Sequence, residues 1–464
     1  MSKIKSLVLG SAAAIVAIGG AQAADLPVKA KAVEYVKVCS LYGAGFYYIP
    51  GTDTCIRIGG YLRAEVTFGG APSDAVYMNG DGGINLRTAG QYQSRARIMM
   101  NVDTRTATEY GVVRTFAAFG PQFTTGATVD GTDTQANGGM RVEAAFVQFA
   151  GFTFGRSASA YALPWNGAPG NLNSILMGGP NYDAGVNNIQ YTWQFGNGVS
   201  ASVGVDQQEQ ANRIGVLAGT WNLGNYTNNY AAPTAPDVVG NIRLDQAWGL
   251  LQFSAAAHQV TGTYYNANVT QGHPGDKWGF AVTGALQLKN LPTGPGDDIK
   301  ISGTYTEGAL RYVLGNSGAT PRYFAVLDGA SYANVPIADG VYATALGSSI
   351  ELTKAYGFNG AFNHNWNRNW SSSVFGSWSH VDYNGTATAT ICGGVIAGCN
   401  PDFNVSQLGL NTTWKPVKDL AFIAEATWTH IDQNNVGATT LQSRPVTYGD
   451  TDRYSGILRV QRNF

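Results

Sequence analysis

From about residue 55 to its last residue the chain alternates apolar and polar side chains with a period of two. That is the repeat of an extended strand whose two faces meet different surroundings. Over residues 277–289, Trp278, Phe280, Val282, Leu286 and Leu288 fall on one face, and Lys277, Thr283, Gln287 and Lys289 on the other. Residues 56–68 repeat the pattern, with Ile56, Ile58, Leu62, Ala64, Val66 and Phe68 opposed to Arg57, Tyr61, Arg63, Glu65 and Thr67. Ile299, Ile301 and Tyr305 likewise oppose Lys300, Ser302 and Thr304, and Leu251, Phe253, Ala255 and Ala257 oppose Gln252, Ser254, Ala256 and His258. Lys354 and the region 408–410 are expected to interrupt the alternation.

Such runs fall near 55–68, 92–102, 109–118, 140–150, 152–157, 188–195, 199–206, 242–248, 250–260, 277–289, 298–307, 350–363, 370–381, 404–414, 420–431 and 453–464. The gaps between them alternate in length. Those near 69–91, 119–139, 158–187, 207–241, 261–276, 308–349, 382–403 and 432–452 are long and rich in Gly, Asn and Thr. Gly151, Gly196-Asn197-Gly198, Gly249 and Lys415-Pro416 mark tight turns. The pattern predicts an all-β fold: an up-and-down, 16-stranded antiparallel transmembrane β-barrel with short periplasmic turns and long extracellular loops.

A soluble β-sandwich is the competing architecture, but it would bury an apolar inner face in a packed core. Here one face carries Arg, Lys, Glu, Ser and Thr on strand after strand. The other ends in Trp278, Tyr305, Trp370, Trp378, Trp414, Trp428 and Tyr454, as amphipathic rings do at a membrane interface. A one-residue slip of 277–289 would turn Lys277 and Lys289 to lipid, costing about 2–4 kcal/mol per charge at the midplane.

Composition agrees. Charged residues are 13% of the 464, against about 25% in soluble domains, while 60 residues are glycine and 11% aromatic. Hydrophobic residues at 44% with net charge -1 exclude a disordered chain and give none of the basic excess that nucleic-acid binding needs. Past residue 21 there is no apolar run of about 18 residues, which excludes a helical span.

Residues 1–23 read as a secretory signal peptide: Lys3 and Lys5, an apolar stretch over 7–18, and Ala21-Gln22-Ala23 before a mature start at Ala24. Residues 24–54 would lead into a barrel over 55–464. Export gives the four cysteines an oxidising compartment, where the pairing Cys39 with Cys55 and Cys392 with Cys399, of the three connectivities, closes the shortest loops. The spacing is not that of a zinc site and no metal is expected.

Residues 33–39 (Val-Glu-Tyr-Val-Lys-Val-Cys) and 42–61 (Tyr-Gly-Ala-Gly-Phe-Tyr-Tyr-Ile-Pro-Gly-Thr-Asp-Thr-Cys-Ile-Arg-Ile-Gly-Gly-Tyr) closely resemble the opening of the general trimeric porins of alphaproteobacterial, rhizobial-type, outer membranes. Phe152-Thr153-Phe154-Gly155-Arg156 is similar to the strand before their constriction loop, and the terminal Phe464 to their assembly signal; Arg462 departs from it. The resemblance implies a homotrimer set among outer-membrane lipid and lipopolysaccharide, passing small hydrophilic solutes and ions without catalysis. It also implies that the third loop, 158–187, folds into the barrel.

On the strand register, Arg57, Arg63, Arg95, Arg97, Arg114, Arg141 and Arg459 face the lumen on one wall, with Glu65, Asp103 and Glu143 to offset them. One explanation is merely that arginine prefers any lumen to lipid; the functional one is a basic half-ring at the constriction. The third loop carries one charge, Asp183, and otherwise Tyr161, Trp165, Asn166, Asn171, Asn173 and Tyr182. Weak to moderate anion preference is expected. No phosphate loop, zinc-protease helix or nucleophile elbow occurs, and no cofactor motif is present. His258, His273, His364, His380 and His430 are scattered, and Asn79-Gly80-Asp81-Gly82 reads as a turn rather than a calcium loop. The rival functions are a sugar- or phosphate-specific channel, which would need an aromatic or lysine ladder, and an adhesin, which should show fixed-period repeats. An outer-membrane lipase with a Ser-His pair is a further rival.

Overall fold

The computed structural model describes residues 37–69, 92–124, 139–172, 176–182, 184–208, 213–221, 228–315, 323–393, 398–441 and 443–464. The expected signal peptide 1–23, the expected turn at Asn79-Gly80-Asp81-Gly82, and Asn173 and Asp183 of the third loop lie outside these residues.

The alternating runs form strands β1 (Thr54–Phe68), β2 (Tyr92–Thr108), β3 (Gly111–Thr124), β4 (Gly139–Phe149), β5 (Phe152–Ser157), β6 (Val186–Gly196), β7 (Val199–Asp206) and β8 (Asp237–Gln246). They continue as β9 (Gly249–Val260), β10 (Lys277–Lys289), β11 (Asp298–Glu307), β12 (Lys354–Asn365), β13 (Trp370–Asp382), β14 (Phe403–Val417), β15 (Leu420–Gln433) and β16 (Thr451–Asn463). Each pairs antiparallel with its neighbours in sequence, and β1 also pairs with β16, so the described strands close into a 16-stranded barrel with no open edge. Every expected run is found. Their ends move by a few residues, most at β2, which runs on to Thr108, and at β3, which runs on to Thr124.

The faces divide as the alternation requires. Ile58, Leu62, Phe68, Trp278, Phe280 and Val282 are exposed on the outer surface, while Glu65, Thr67, Ala281 and Thr283 are buried on the inner one. Outward rings at both rims form two girdles: Trp278, Tyr305, Tyr356 and Tyr454 at the long-loop end, and Trp193, Trp248, Trp370 and Trp414 at the short-turn end. No described helix is long and apolar enough to cross a membrane; the strands do the crossing.

Three local expectations are corrected. The turn between β14 and β15 is at Lys418 and Asp419, the latter at φ 63°, not at Lys415-Pro416; Pro416 sits in β14 where the pairing shifts between Trp414 and Val417. Residues 408–410 keep the alternation, because Leu408 and Leu410 face outward and Gly409 inward, where the Phe375 ring leaves no room for a Cβ. The turn near Gly249 is made by residues 247–248, and Gly249 itself opens β9. Lys354 begins β12 on the outer face, opposite Glu307 and Asp382 in the register.

The inner face is polar at mid-height but apolar at the long-loop end. There Phe403, Val405, Ile431, Val381 and Ala355 meet Leu310, Val313, Val335, Ile337 and Val341 of the loop after β11 in a single buried cluster. A roof of loop strands, Tyr323–Asp328, Ser331–Pro336, Ala438–Leu441 and Arg444–Tyr448, forms a separate four-stranded sheet. The C-terminal residue is fixed by paired backbone bonds between Phe464 and Gly60, each 3.0 Å, and Arg462 donates to the Lys418 carbonyl at the adjacent turn.

Candidate functional site: the constricted lumen

In its described residues (158–172, 176–182 and 184–185), the third loop leaves β5 and turns into the barrel rather than away from it. Its backbone is held by inward side chains of one wall, strand by strand. Asn241 of β8 and Gln252 of β9 donate to the carbonyls of Ala160 (2.5 Å) and Ala162 (2.9 Å). The Tyr161 hydroxyl meets Thr283 of β10 at 2.7 Å. Lys300 of β11 and Asn363 of β12 both reach the Pro169 carbonyl at 3.0 Å, and Ser373 of β13 donates to Gly170. The Leu172 amide donates to Glu425 of β15 at 2.6 Å, and the Met177 amide to Gln407 of β14 at 2.8 Å, while Asn359 of β12 returns a bond to the Met177 carbonyl at 3.0 Å.

Closeness requires two glycines. A Cβ on Gly178 (φ +84°) would lie 2.1 Å from the Phe358 carbonyl oxygen, and one on Gly357 would lie 2.9 Å from the Gly178 Cα. Only a pair without side chains lets the loop lie flat on β12.

The wall left uncovered by the loop, β1 to β4 and β16, carries the arginines. They are brought together in three groups, each around one carboxylate. Glu65 is completely buried and takes Arg459 Nε at 2.6 Å and Arg95 Nε at 2.5 Å; in the register it stands directly opposite both. Glu143 accepts from Arg97 Nη1 and Arg141 Nε, both at 3.1 Å. Asp103 takes Arg114 in a fork (3.0 and 3.1 Å), Arg105 at 3.1 Å, and Arg57 more loosely at 3.7 Å. Arg63 stands apart, on the Gln461 amide at 3.0 Å and over the Tyr61 ring.

Apart from Arg63, the structure thus gathers the arginines and carboxylates expected on this wall around Glu65, Asp103 and Glu143; Asp183, expected on the third loop, is not among the described residues. Arg105 had no place in the sequence reading, because β2 was expected to end at 102; its odd-numbered parity with Asp103 was the available signal. The Cys39–Cys55 and Cys392–Cys399 disulfides are both formed. The first staples residues 39–48 to β1, where Tyr47 and Tyr48 pair with Ile56 and Cys55 below the chain terminus.

His258 was read as one of a scattered set. It lies fully buried at the long-loop end of β9, with Nδ1 2.8 Å from Asp237, Nε2 2.8 Å from the Tyr230 hydroxyl and 3.8 Å from Asp339. Asp339 also accepts the amides of Ile214 (2.9 Å) and Leu310 (2.7 Å), so one carboxylate ties three loop segments together. Burial pushes the Asp339 carboxyl up to about 6, against the opposing pull of His258 and the two amides. No described group of His, Cys, Asp and Glu has the geometry of a metal site.

Several known proteins are similar to this chain. The sequence profile described as Porin subfamily matches residues 25–457. Porin Omp2b of Brucella canis is 37% identical over 253 residues, and Porin Omp2b of Brucella melitensis biotype 1 is 36% identical over 253. Those alignments take in 53% of this chain and 63% of each relative, so the chain spans less than two thirds of their length. Among solved structures, the outer membrane channel DcaP of Acinetobacter baumannii matches with a TM-score of 0.58 at 16% identity, over 90% of this chain and 99% of that one, a likeness of fold.

Proposed function

The chain belongs to the porin family, as an integral protein of the outer membrane, and on that premise we propose that it is a general porin, a water-filled channel for passive diffusion of small hydrophilic solutes and ions. The observation that carries this reading is the pairing of an inward-folded loop with an arginine wall. Residues 158–172 and 176–182 lean on β8 to β15, leaving a gap lined by Arg57, Arg63, Glu65, Arg95, Arg97, Asp103, Arg114, Arg141, Glu143 and Arg459, to which we add Arg105. The described part of the loop carries no charged side chain, so the wall sets the field.

Eight guanidiniums there face three carboxylates. The Debye length at physiological salt is about 8 Å, comparable with the separation between an ion in a narrow neck and its lining, so a passing ion feels the surplus. The reading implies a size-limited sieve with weak to moderate preference for anions. It also implies export through a signal peptide at 1–23 and assembly as a homotrimer.

Planar bilayers separating unequal KCl concentrations test it. Conductance in steps of three with a reversal potential displaced toward the chloride equilibrium value is expected; strong cation preference overturns the assignment of the wall. Liposome swelling with sugars of graded size separates the sieve, which shows a size cutoff, from a substrate-specific channel, which saturates.

A further inference from the structure

We propose that the periplasmic mouth of this channel contains a binding site for small multivalent oxyanions, centred on Arg105 and Arg114, the members of the arginine wall nearest the short turns. The proposal rests on the channel reading and specifies a ligand class within it.

Asp103 is 2% exposed at its side chain and is shared by Arg57, Arg105 and Arg114. One carboxylate against three guanidiniums leaves a local surplus of two positive charges. Each guanidinium has five N–H donors, whereas a carboxylate accepts about four hydrogen bonds, so most of the donors remain for water or a ligand. Arg105 and Arg114 keep about a quarter of their side-chain surface open, 27% and 28%.

Aromatic rings pack against these cations. Arg114 lies over Phe116 and Phe146 at 5.2 and 5.5 Å, and those rings stack on each other at 5.4 Å. Arg105 lies over Phe46 at 4.9 Å and Tyr42 at 5.6 Å, and Arg57 also packs on Phe46, at 5.0 Å. Phe46 and Tyr42 belong to the segment before β1, which the Cys39–Cys55 disulfide fixes in place. The disulfide therefore positions two of the rings that aim the arginines.

Arg105 and Arg114 open onto a cavity of about 440 Å³, whose polar lining includes Gln148, Thr153, Gln194 and Tyr42. Gln148 accepts from Arg114 Nη1 at 2.9 Å and donates to Thr153 at 3.0 Å, so the amide is oriented by the site itself. The Tyr42 hydroxyl is buried with no hydrogen-bond partner. A buried hydroxyl left unpaired costs about 1–3 kcal/mol, and an oxyanion oxygen in the cavity would accept a hydrogen bond from it. The cavity lies beside the turn joining β4 and β5, hence at the short-turn mouth, whereas Glu65 with Arg95 and Arg459 sits further up the wall. Two or more oxyanion groups on one small molecule match two forked guanidiniums better than chloride does.

The test uses purified full-length protein in bilayers with KCl on both sides. Citrate and inorganic phosphate, each added to one side and then the other, are expected to interrupt the chloride current, while gluconate at equal concentration does not. Arg105→Gln with Arg114→Gln should weaken citrate block about tenfold or more, the loss of a charge-assisted hydrogen bond. Asp103→Asn frees the guanidiniums and should strengthen it, a gain that a damaged barrel would not give. Block by gluconate equal to that by citrate, or unchanged block in the double variant, overturns the site. Absence of any KCl conductance would instead overturn the channel reading.

Discussion

Replacing Glu65 with glutamine tests whether the arginine wall is organised by its carboxylates. Glu65 lies on the seam where β1 meets β16, so its two ion pairs join the first strand to the last as well as to the second. Its side chain is 0% exposed, and those of Arg95 and Arg459 are 4% and 6%. Glu65→Gln keeps the shape but leaves two buried guanidiniums facing one amide, whose oxygen can satisfy part of one and whose NH2 repels the other. Removing one partner of a buried pair costs about 3–5 kcal/mol, because the remaining charge stays desolvated. The expected loss is in that range, read from urea unfolding of the purified barrel by its β-sheet circular dichroism. The same substitution raises the surplus of positive charge on the wall by one, so the KCl reversal potential should move further toward chloride. A stability change below about 1 kcal/mol, as for an exposed pair, would refute the buried-triad account; a shift of selectivity toward cations would refute the electrostatic one.

Other substitutions separate the elements. Gly178→Ala places a Cβ against the Phe358 carbonyl at positive φ, so the third loop must lift; single-channel conductance should rise, and an unchanged conductance would mean the loop does not set the bore. Val282→Lys on the outer face should cost about 2–4 kcal/mol of barrel stability, whereas Gln287→Lys on the inner face of the same strand should change it by about 0.5 kcal/mol or less; equal effects would contradict the assignment of faces. Asp339 has a carboxyl raised to about 6 from an ordinary value near 3.8, so the docked loops bind an extra proton between those values. Docking is then firmest below about pH 4 and weakens as pH climbs through 6. Hydrogen exchange at the Ile214 and Leu310 amides should become less protected over that interval once corrected for intrinsic rates, and Asp339→Asn should flatten the dependence; protection that increases with pH would refute it.

The alternation of side chains was sufficient to place the strands, assign the face of each residue and close the barrel. A period of two is a local property of the chain, and exchanging the faces would put lysine and arginine into hydrocarbon. The two disulfides were legible for a similar reason, since each joins cysteines close in sequence, 16 and 7 residues apart. The inward course of the third loop came from resemblance alone, because nothing in residues 158–185 has a period. Its docking depends on Asn241, Lys300, Gln407 and Glu425, which look like any polar lumen residues until the loop backbone reaches them. The apolar inner lining at the long-loop end and the buried His258 cluster escaped notice because the loops that cover them are distant in sequence. Parity announced which arginines face inward, but not that Glu65 would gather Arg95 and Arg459, 30 and 394 residues away. Which face a side chain takes is decided by its own strand, whereas which charges meet is decided by where sixteen strands stand around a ring, and only the closed barrel fixes that.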